Sequence, residues 1–158
     1  MRFDDRGAAR PDFVLNKAPW DKATILIVGD NFGCGSSREH AVWGMGQLGI
    51  TCAFGTGFAS MFYDNARKNG LVLPIVTPQA RDQLLQLASD PGGTRITIDI
   101  AARSITAGDL VIPFKMDGAT QTGLIRGGDD TLDSLEYADA IGAYEASLTD
   151  RMRVNVVK

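Results

Sequence analysis

Histidine and cysteine are scarce in this chain, and their scarcity limits the metal chemistry that it can support. Its 158 residues include one histidine, His40, and two cysteines, Cys34 and Cys52. A structural zinc site takes four Cys or His ligands, and an iron–sulfur cluster is held by several cysteine thiolates. If the chemistry of this protein needs a metal, another chain must therefore supply most of the ligands.

Long apolar runs and an excess of basic charge are also missing. No stretch approaches the roughly 18 apolar residues of a membrane-spanning helix, and the charged N-terminus, residues 1–6, lacks the apolar segment of a signal peptide. The formal net charge is −3, which disfavours nucleic acid and anionic membranes as main partners. The expected location is the cytoplasm, and a small anionic substrate remains compatible with this charge.

The chain has the composition and length of a single globular domain, which we predict to span residues 1–158. Hydrophobic residues make up 44% and charged residues 22%, and one core can be buried at this length. Glycine and proline break up residues 1–20, which we predict to be an irregular surface arm. Further along, apolar β-branched runs alternate with helical patterns, and this order predicts an α/β fold. The predicted elements are a strand at 24–28 buried on both faces, a helix from 36 to about 48, a strand at 51–54 and a helix at 59–68. A further strand is predicted at 71–76, where Pro74 must lie on a sheet edge or at the end of the strand.

The second half predicts a helix followed by an antiparallel sheet and a final helix. Residues 79–88 have helical spacing, while residues 94–100 alternate as a half-exposed strand does, with further strands at 104–106 and 110–114. Residues 131–148 predict an amphipathic helix, and residues 151–158 a tail. The predicted inner side of that helix consists of Leu132, Leu135, Ala138, Ile141 and Ala146.

A glycine-rich turn between the first strand and the first helix carries the strongest chemical signal. Gly33 and Gly35 allow positive φ angles and close approach of a ligand, and the free amides of a helix start favour an anion. Ser36, Ser37 and Arg38 add two hydroxyls and a guanidinium suited to a carboxylate or phosphate. Ser36 to Glu39 also fits the S-x-x-E capping box. The residues alone therefore leave capping, anion binding and catalysis open.

Three other motifs fit this turn poorly. The dinucleotide fingerprint G-x-G-x-x-G has Arg38 at its third glycine position, and no acidic residue follows at the required distance. The Gly-Lys-Ser/Thr ending of a P-loop is absent. The hydrolase elbow G-x-S-x-G fails because Glu39 occupies its last position.

The string from Gly29 to Ala41 resembles the swivel-domain motif of the aconitase superfamily. The segments Gly57–Leu71 and Pro11–Lys17 extend the resemblance to the small subunits of bacterial isopropylmalate isomerase, and most of the chain fits that order of elements. The implied fold is the swivelling β/β/α domain of this superfamily, an α/β fold with a mixed sheet and flanking helices.

The resemblance also implies a function, a partner and a set of site residues. The expected activity is that of a hydro-lyase of leucine biosynthesis, which isomerises 2-isopropylmalate to 3-isopropylmalate by dehydration and rehydration and works only with a large subunit. That large subunit would carry a [4Fe-4S] cluster, and this chain would bind no cofactor. By position in the motif, Ser36 would be the catalytic base, while Ser37 and Arg38 would bind a carboxylate of the dicarboxylate substrate. Glu39 and His40 are expected to serve the architecture of the helix end.

One departure from the family keeps other functions open. Its members usually begin with a further N-terminal segment, including the loop that reads the substrate's side chain, and we expect that segment to be missing before Phe3. The substrate could then be that of a homoaconitase, a dimethylmalate or a citraconate-type hydratase. A non-catalytic anion-binding or assembly domain is the alternative from another class.

Overall fold

The computed structural model describes residues 2–35, 37–90, 92, 94–127 and 130–148. The chain divides into two compact units, Met1–Gly127 and Gly128–Lys158, which are described separately. The single domain over residues 1–158 stays a prediction.

A parallel pair of strands forms the centre of the first unit. β1 (Ile25–Ile27) lies parallel to β2 (Cys52–Phe54), with Ile25 opposite Cys52 and Ile27 opposite Phe54. The helix α1 (His40–Gln47) connects them, which gives the crossover that parallel strands require. The strand predicted at 71–76 is present only as isolated parallel bridges from Val72 and Ile75 to the β2 region. Pro74 lies between these two residues, and it cannot donate to a continuous ladder.

The predicted antiparallel sheet is confirmed as a meander. β3 (Ile96–Asp99), β4 (Ser104–Ala107) and β5 (Leu110–Pro113) follow one another in space in that order. An antiparallel bridge between Ile75 and Lys115 joins the chain after β5 to the parallel region. The described part of the chain therefore contains both parallel and antiparallel sheets with flanking helices, which is consistent with the predicted α/β fold.

Three further helices belong to this unit, and two of them have a side-chain cap at their start. α2 (Ser60–Lys68) and α3 (Pro78–Ala88) confirm the predicted helices. Thr77 is the N-cap residue of α3, and its Oγ1 accepts a hydrogen bond from the backbone N–H of Ala80 at 3.2 Å. α4 (Gly118–Arg126) was not predicted, although Asp117 caps its start and a left-handed Gly127 ends it, a residue pair typical of helix boundaries.

Two hydrophobic clusters lie on opposite faces of β1 and β2. Cys52 and Phe54 belong to the first cluster, together with Leu84 and Ile105, whereas Ala53 belongs to the second with Phe62 and others. Alternate residues of a strand point to opposite faces, so both faces of β2 are buried. β1 contacts both clusters as predicted, but its three residues are only half-buried.

The arm formed by residues 2–20 is more regular than predicted. It contains two short 3₁₀-helices, Val14–Asn16 and Trp20–Lys22, and an antiparallel bridge between Phe3 and Ala9. The side chain of Asn16 ties the arm together by donating hydrogen bonds to the carbonyls of Arg2 and Arg10, each at 2.9 Å. One asparagine thus gives the arm a local order that sequence periodicity cannot reveal.

The second unit does not form the continuous amphipathic helix predicted at 131–148. It consists of α5 (Asp130–Ser134), a 3₁₀ turn at Leu135–Tyr137 and α6 (Ala138–Ser147). The 3₁₀ turn has about three residues per turn instead of 3.6, so the apolar positions no longer line up along one side. The predicted inner residues are exposed: Leu132, Leu135, Ala138, Ile141 and Ala146. The predicted tail at 151–158 lies outside the described residues.

Candidate functional site

The glycine-rich turn lies where the parallel strands end, beside a second loop. The turn leaves β1 and leads to α1, while the loop after β2 leads to α2. Phe32 in the turn and Phe58 in the loop form a parallel bridge. The N–H of Ala59 donates to the carbonyl of Phe32 at 2.9 Å, and the N–H of Phe32 donates to the carbonyl of Gly57 at 3.3 Å. Ligands of open α/β sheets bind at this carboxyl edge.

The backbone of the turn needs glycine at position 33. Gly33 has φ of +88°, and a Cβ atom there would overlap the ring of Phe62, a side chain of the second cluster that is 2% exposed. Asn31 also lies in the left-handed region, with φ of +52°. Gly35 differs from the expectation: it has open space around it but no positive φ.

The helix begins later than predicted, and this changes the position of the expected site residues. α1 starts at His40, with Glu39 as its N-cap residue, whereas the sequence predicts a start at Ser36. Ser37 and Arg38 therefore lie in the last loop residues before the helix, and both are exposed. Ser36 lies outside the described residues. The exposed pair is adjacent to the helix end whose free amides and dipole attract anions.

Glu39 links this end of α1 to α2. Its Oε1 accepts a hydrogen bond from Asn69 Nδ2 at 2.6 Å, and as N-cap residue it makes no side-chain cap bond. Its backbone carbonyl accepts from the N–H of Val42 at 2.9 Å and so starts the helix. Because Glu39 is itself the N-cap residue, it does not occupy the third helical position that the S-x-x-E capping box requires, and the predicted box is wrong on this point.

Two carboxamides, one from α2 and one from its C-cap residue, contact the turn, a role that the sequence analysis missed. Asn65 Nδ2 donates to the carbonyl oxygen of Ser37 at 3.3 Å. Asn69 Oδ1 accepts from Trp43 Nε1 at 3.1 Å, and its Nδ2 donates both to Glu39 and to the carbonyl of Asn65. Their spacing of four residues indicates that they share one helix face, but it does not indicate which part of the chain that face contacts.

The two cysteines do not fit a metal centre. Cys34 is exposed in the turn, whereas Cys52 is buried in β2, where burial raises the pKa of its thiol to about 12. Within the described ranges, no three His, Cys, Asp or Glu side chains gather as metal ligands would. A [4Fe-4S] cluster needs more cysteine thiolates than this chain contains, so its residues do not fit such a group.

A cleft of about 490 Å³ opens beside the loop that pairs with the turn. Its polar lining includes Tyr63, Asp64, Lys115 and Asp117. Tyr63 donates its hydroxyl to Asp117 Oδ2 at 3.4 Å. With two carboxylates and one lysine, this cleft by itself disfavours an anion, in contrast to the exposed Ser37–Arg38 pair.

The ionisation of this cleft follows from its contacts. Thr120 donates two hydrogen bonds to the Asp117 carboxylate, and together they hold the pKa of that carboxyl below its usual value. The bond from the Thr120 hydroxyl has the larger effect, and the bond from its backbone N–H the smaller. Burial is the main cause that raises the pKa of Tyr63. At neutral pH Asp117 is therefore a carboxylate and Tyr63 a hydroxyl donor.

None of the helices in the described part of the chain combines the length and apolar character needed to cross a bilayer.

Comparisons with known proteins agree with this arrangement. The family model of the aconitase C-terminal domain matches residues 3–80. A 3-isopropylmalate dehydratase small subunit from Ruegeria pomeroyi is 46% identical over 148 residues, which cover 92% of this chain and 73% of that protein. One from Methylorubrum extorquens (strain PA1) is 43% identical over 155 residues, covering 96% of this chain and 76% of its own length. The crystal structure of 3-isopropylmalate dehydratase from Methanocaldococcus jannaschii has a TM-score of 0.55 and 28% identity, over 76% of this chain and 67% of that one.

Proposed function

The chain belongs to the family of 3-isopropylmalate dehydratase small subunits, and we propose that it isomerises 2-isopropylmalate to 3-isopropylmalate together with a large subunit. The reaction is a dehydration followed by a rehydration, and it places the chain among the hydro-lyases of leucine biosynthesis. The observation that carries this function is the 46% identity to a small subunit over 92% of the chain. The turn at residues 29–39, with its exposed Ser37 and Arg38, supports it.

We assign substrate binding to Ser37 and Arg38. A planar guanidinium grips a carboxylate through two hydrogen bonds, and the adjacent N-terminal end of α1 adds a favourable dipole. Both side chains are exposed beside this helix end, which suits a substrate that arrives from outside the chain.

We assign the catalytic base to Ser36, by its position in the family motif. A serine is a feeble base in water, so its alkoxide needs stabilisation from helix-end amides and a nearby cation. Arg38 is the cation closest to it in sequence.

The iron–sulfur cluster is proposed to belong to the large subunit, because this chain has too few ligands to hold one. The dicarboxylate nature of the substrate is part of the same proposal. Each subunit would then provide half of the active site, and the exposure of Ser37 and Arg38 agrees with this division. The cytoplasmic location stays a prediction.

The proposal is tested by reconstituting the chain with a cluster-bearing large subunit under anaerobic conditions and following the absorbance of isopropylmaleate. We expect Ser36→Ala to lower kcat by about 100-fold or more, since general-base catalysis contributes about that much. Arg38→Lys should raise KM about tenfold, because a lysine cannot form the two-pronged contact. Arg95→Lys, at an exposed arginine in the loop before β3, is the matched control and should change neither constant.

Unchanged turnover in both the Ser36 and Arg38 variants, with the complex intact, would reject the assigned roles. Turnover of homocitrate, dimethylmalate or citramalate in place of isopropylmalate would move the chain to another substrate class of the same superfamily. A stable complex without turnover of any of these would indicate an assembly domain.

A further inference from the structure

We propose that Asn65 of α2 and Asn69, the C-cap residue of that helix, are positioning residues, which hold the backbone and N-cap of the catalytic turn so that Arg38 and its neighbours face the substrate. This inference rests on the function proposed above. It extends that function to two side chains that lie on another helix and that we do not place in contact with substrate.

The two carboxamides hold the turn on both sides of Arg38. Asn65 Nδ2 donates to the carbonyl of Ser37 at 3.3 Å, and Asn69 Nδ2 donates to the carboxylate of Glu39 at 2.6 Å. Because residues 37 and 39 are both fixed to α2, the backbone between them has little freedom to rotate. The backbone at Arg38, from which its side chain starts, is therefore restrained by hydrogen bonds from outside the turn.

Helical geometry makes this arrangement possible. Residues four apart lie on one face of a helix, so Asn65 and Asn69 point toward the same side of α2. That face is anchored in the core through Phe62 and Ala66, which are 2% and 0% exposed. A rigid helix of this kind is a better support for a binding site than the loop itself.

Asn69 uses its whole carboxamide, so a residue of different chemistry cannot replace it. Its oxygen accepts from Trp43 Nε1, while its nitrogen donates to Glu39 and to the carbonyl of Asn65 at 2.8 Å. An aspartate would lose both donors and would place a second carboxylate against Glu39. An alanine would remove the connection between α1 and α2 at this point.

The first test measures steady-state kinetics of the complex with saturating large subunit, alongside binding of the large subunit and thermal unfolding. Asn69→Ala and Glu39→Ala should each lower kcat/KM about tenfold, as loss of positioning does, with unchanged affinity for the large subunit. The double variant should also lose only about tenfold, because the two residues act as one unit. Glu39→Gln keeps an acceptor for Asn69 and should retain most of the activity. Gln83→Ala, which removes an exposed carboxamide of α3, is the control and should leave the kinetics unchanged.

A pH profile separates positioning from a general loss of stability. In Asn69→Asp two carboxylates would face each other, and such a pair retains one proton to a higher pH than either group alone. The protonated carboxyl can donate to Glu39 again, so the activity of this variant relative to the wild type should rise as the pH falls. A ratio that is independent of pH, together with Asn69→Ala kinetics within twofold of the wild type, would overturn the proposal.

Hydrogen exchange in the isolated chain gives an outcome that does not depend on activity. The N–H groups of Val42 and Trp43 donate to the carbonyl of Glu39 at 2.9 and 3.1 Å. In Asn69→Ala these amides should exchange faster, whereas Gln83→Ala should leave them as in the wild type. Unchanged exchange would reject the positioning role even if the enzyme proves to act on another substrate. Inactivity of the wild-type complex with faster exchange in Asn69→Ala would reject the isopropylmalate assignment alone.

Discussion

A single glycine determines whether the turn between β1 and α1 can form at all. Gly33 combines a left-handed backbone with close contact to the Phe62 ring. An L-residue in that conformation is strained, and an added methyl group would also overpack the second cluster. The turn that presents Ser37 and Arg38 therefore depends on a residue that does no chemistry.

Gly33→Ala should lower the free energy of unfolding by about 3 kcal/mol, the combined scale of backbone strain and overpacking. Urea unfolding followed by circular dichroism measures this change. Gly29→Ala is the matched control, because a Cβ atom there has open space and its φ is not left-handed. Its effect should stay within about 0.5 kcal/mol, as for ordinary surface changes. Equal stability of the two variants would show that the turn adapts to a side chain at position 33.

A second prediction for a single residue concerns Asp117 and depends on pH. Its Oδ1 accepts from the N–H of Thr120 at 2.8 Å and caps α4, so Asp117→Ala should cost about 1 kcal/mol at neutral pH. Because its pKa is lowered in the folded state, its contribution is present above the unfolded pKa, near 3.8. The contribution is then lost as the pH falls through the folded pKa.

Thermal unfolding between pH 2 and pH 7 measures this effect. The difference between wild type and Asp117→Ala should shrink at the acidic end. Asp117→Asn keeps a neutral acceptor, so it should be milder and should show less of this pH dependence. A constant difference across the range would contradict the assigned cause.

The candidate site could be predicted from the sequence only where its residues are neighbours in the chain. Ser37 and Arg38 are named by the motif, and the strand–turn–helix order predicts that they lie near a helix start. Asn65 and Asn69 come from the next helix along the chain, and no local pattern specifies that their amides reach back to residues 37 and 39. Such contacts depend on how α1 and α2 pack, which is settled by the second cluster as a whole.

Among the elements, the best-predicted are those with an unbroken apolar period. β2, α2 and α3 and the β3–β5 meander match their predicted ranges closely, because burial and periodicity agree there. α1 starts at His40 and not at the predicted Ser36, so Ser37 and Arg38 lie outside the helix, in the exposed loop. α4 has few apolar residues, and only its two capping residues indicate it. The final helix is interrupted by a 3₁₀ turn that a purely periodic argument cannot detect.

Helix α3 offers a direct test of which face is buried. Leu84 is 0% exposed and belongs to the first cluster, whereas its neighbour Leu85 is 49% exposed. Leu84→Ala should lower the free energy of unfolding by about 3 kcal/mol, since it removes buried methyl groups and leaves a cavity. Leu85→Ala should cost less than about 1 kcal/mol. Chemical denaturation of the pair checks this, and equal losses would show that the face of α3 is assigned wrongly.

For the whole molecule, the two clusters explain how a chain with few metal ligands can support half of an active site. Both faces of the parallel strands are covered, so the carboxyl edge of β1 and β2 is held rigidly while the Ser37–Arg38 pair remains exposed. In the proposed function the chain contributes an anion-binding edge, and the large subunit contributes the metal chemistry. This division also agrees with the small number of histidines and cysteines in the sequence.

The division at Gly127 leads to the last prediction. Every side chain described as buried lies between Val28 and Thr120, within the first unit. A chain ending at residue 127 should therefore keep a cooperative unfolding transition, with a Tm within about 4 °C of the full chain, which corresponds to less than about 1 kcal/mol. Differential scanning calorimetry of the full and the shortened chain measures both the cooperativity of the transition and the Tm. A chain ending at residue 95 is the contrast: it lacks β3–β5, and with them Ile105 and Ile112 of the first cluster, so it should lose the transition. If the chain ending at residue 127 also loses the cooperative transition, residues 128–158 stabilise the first unit in a way that the burial of its side chains does not reveal.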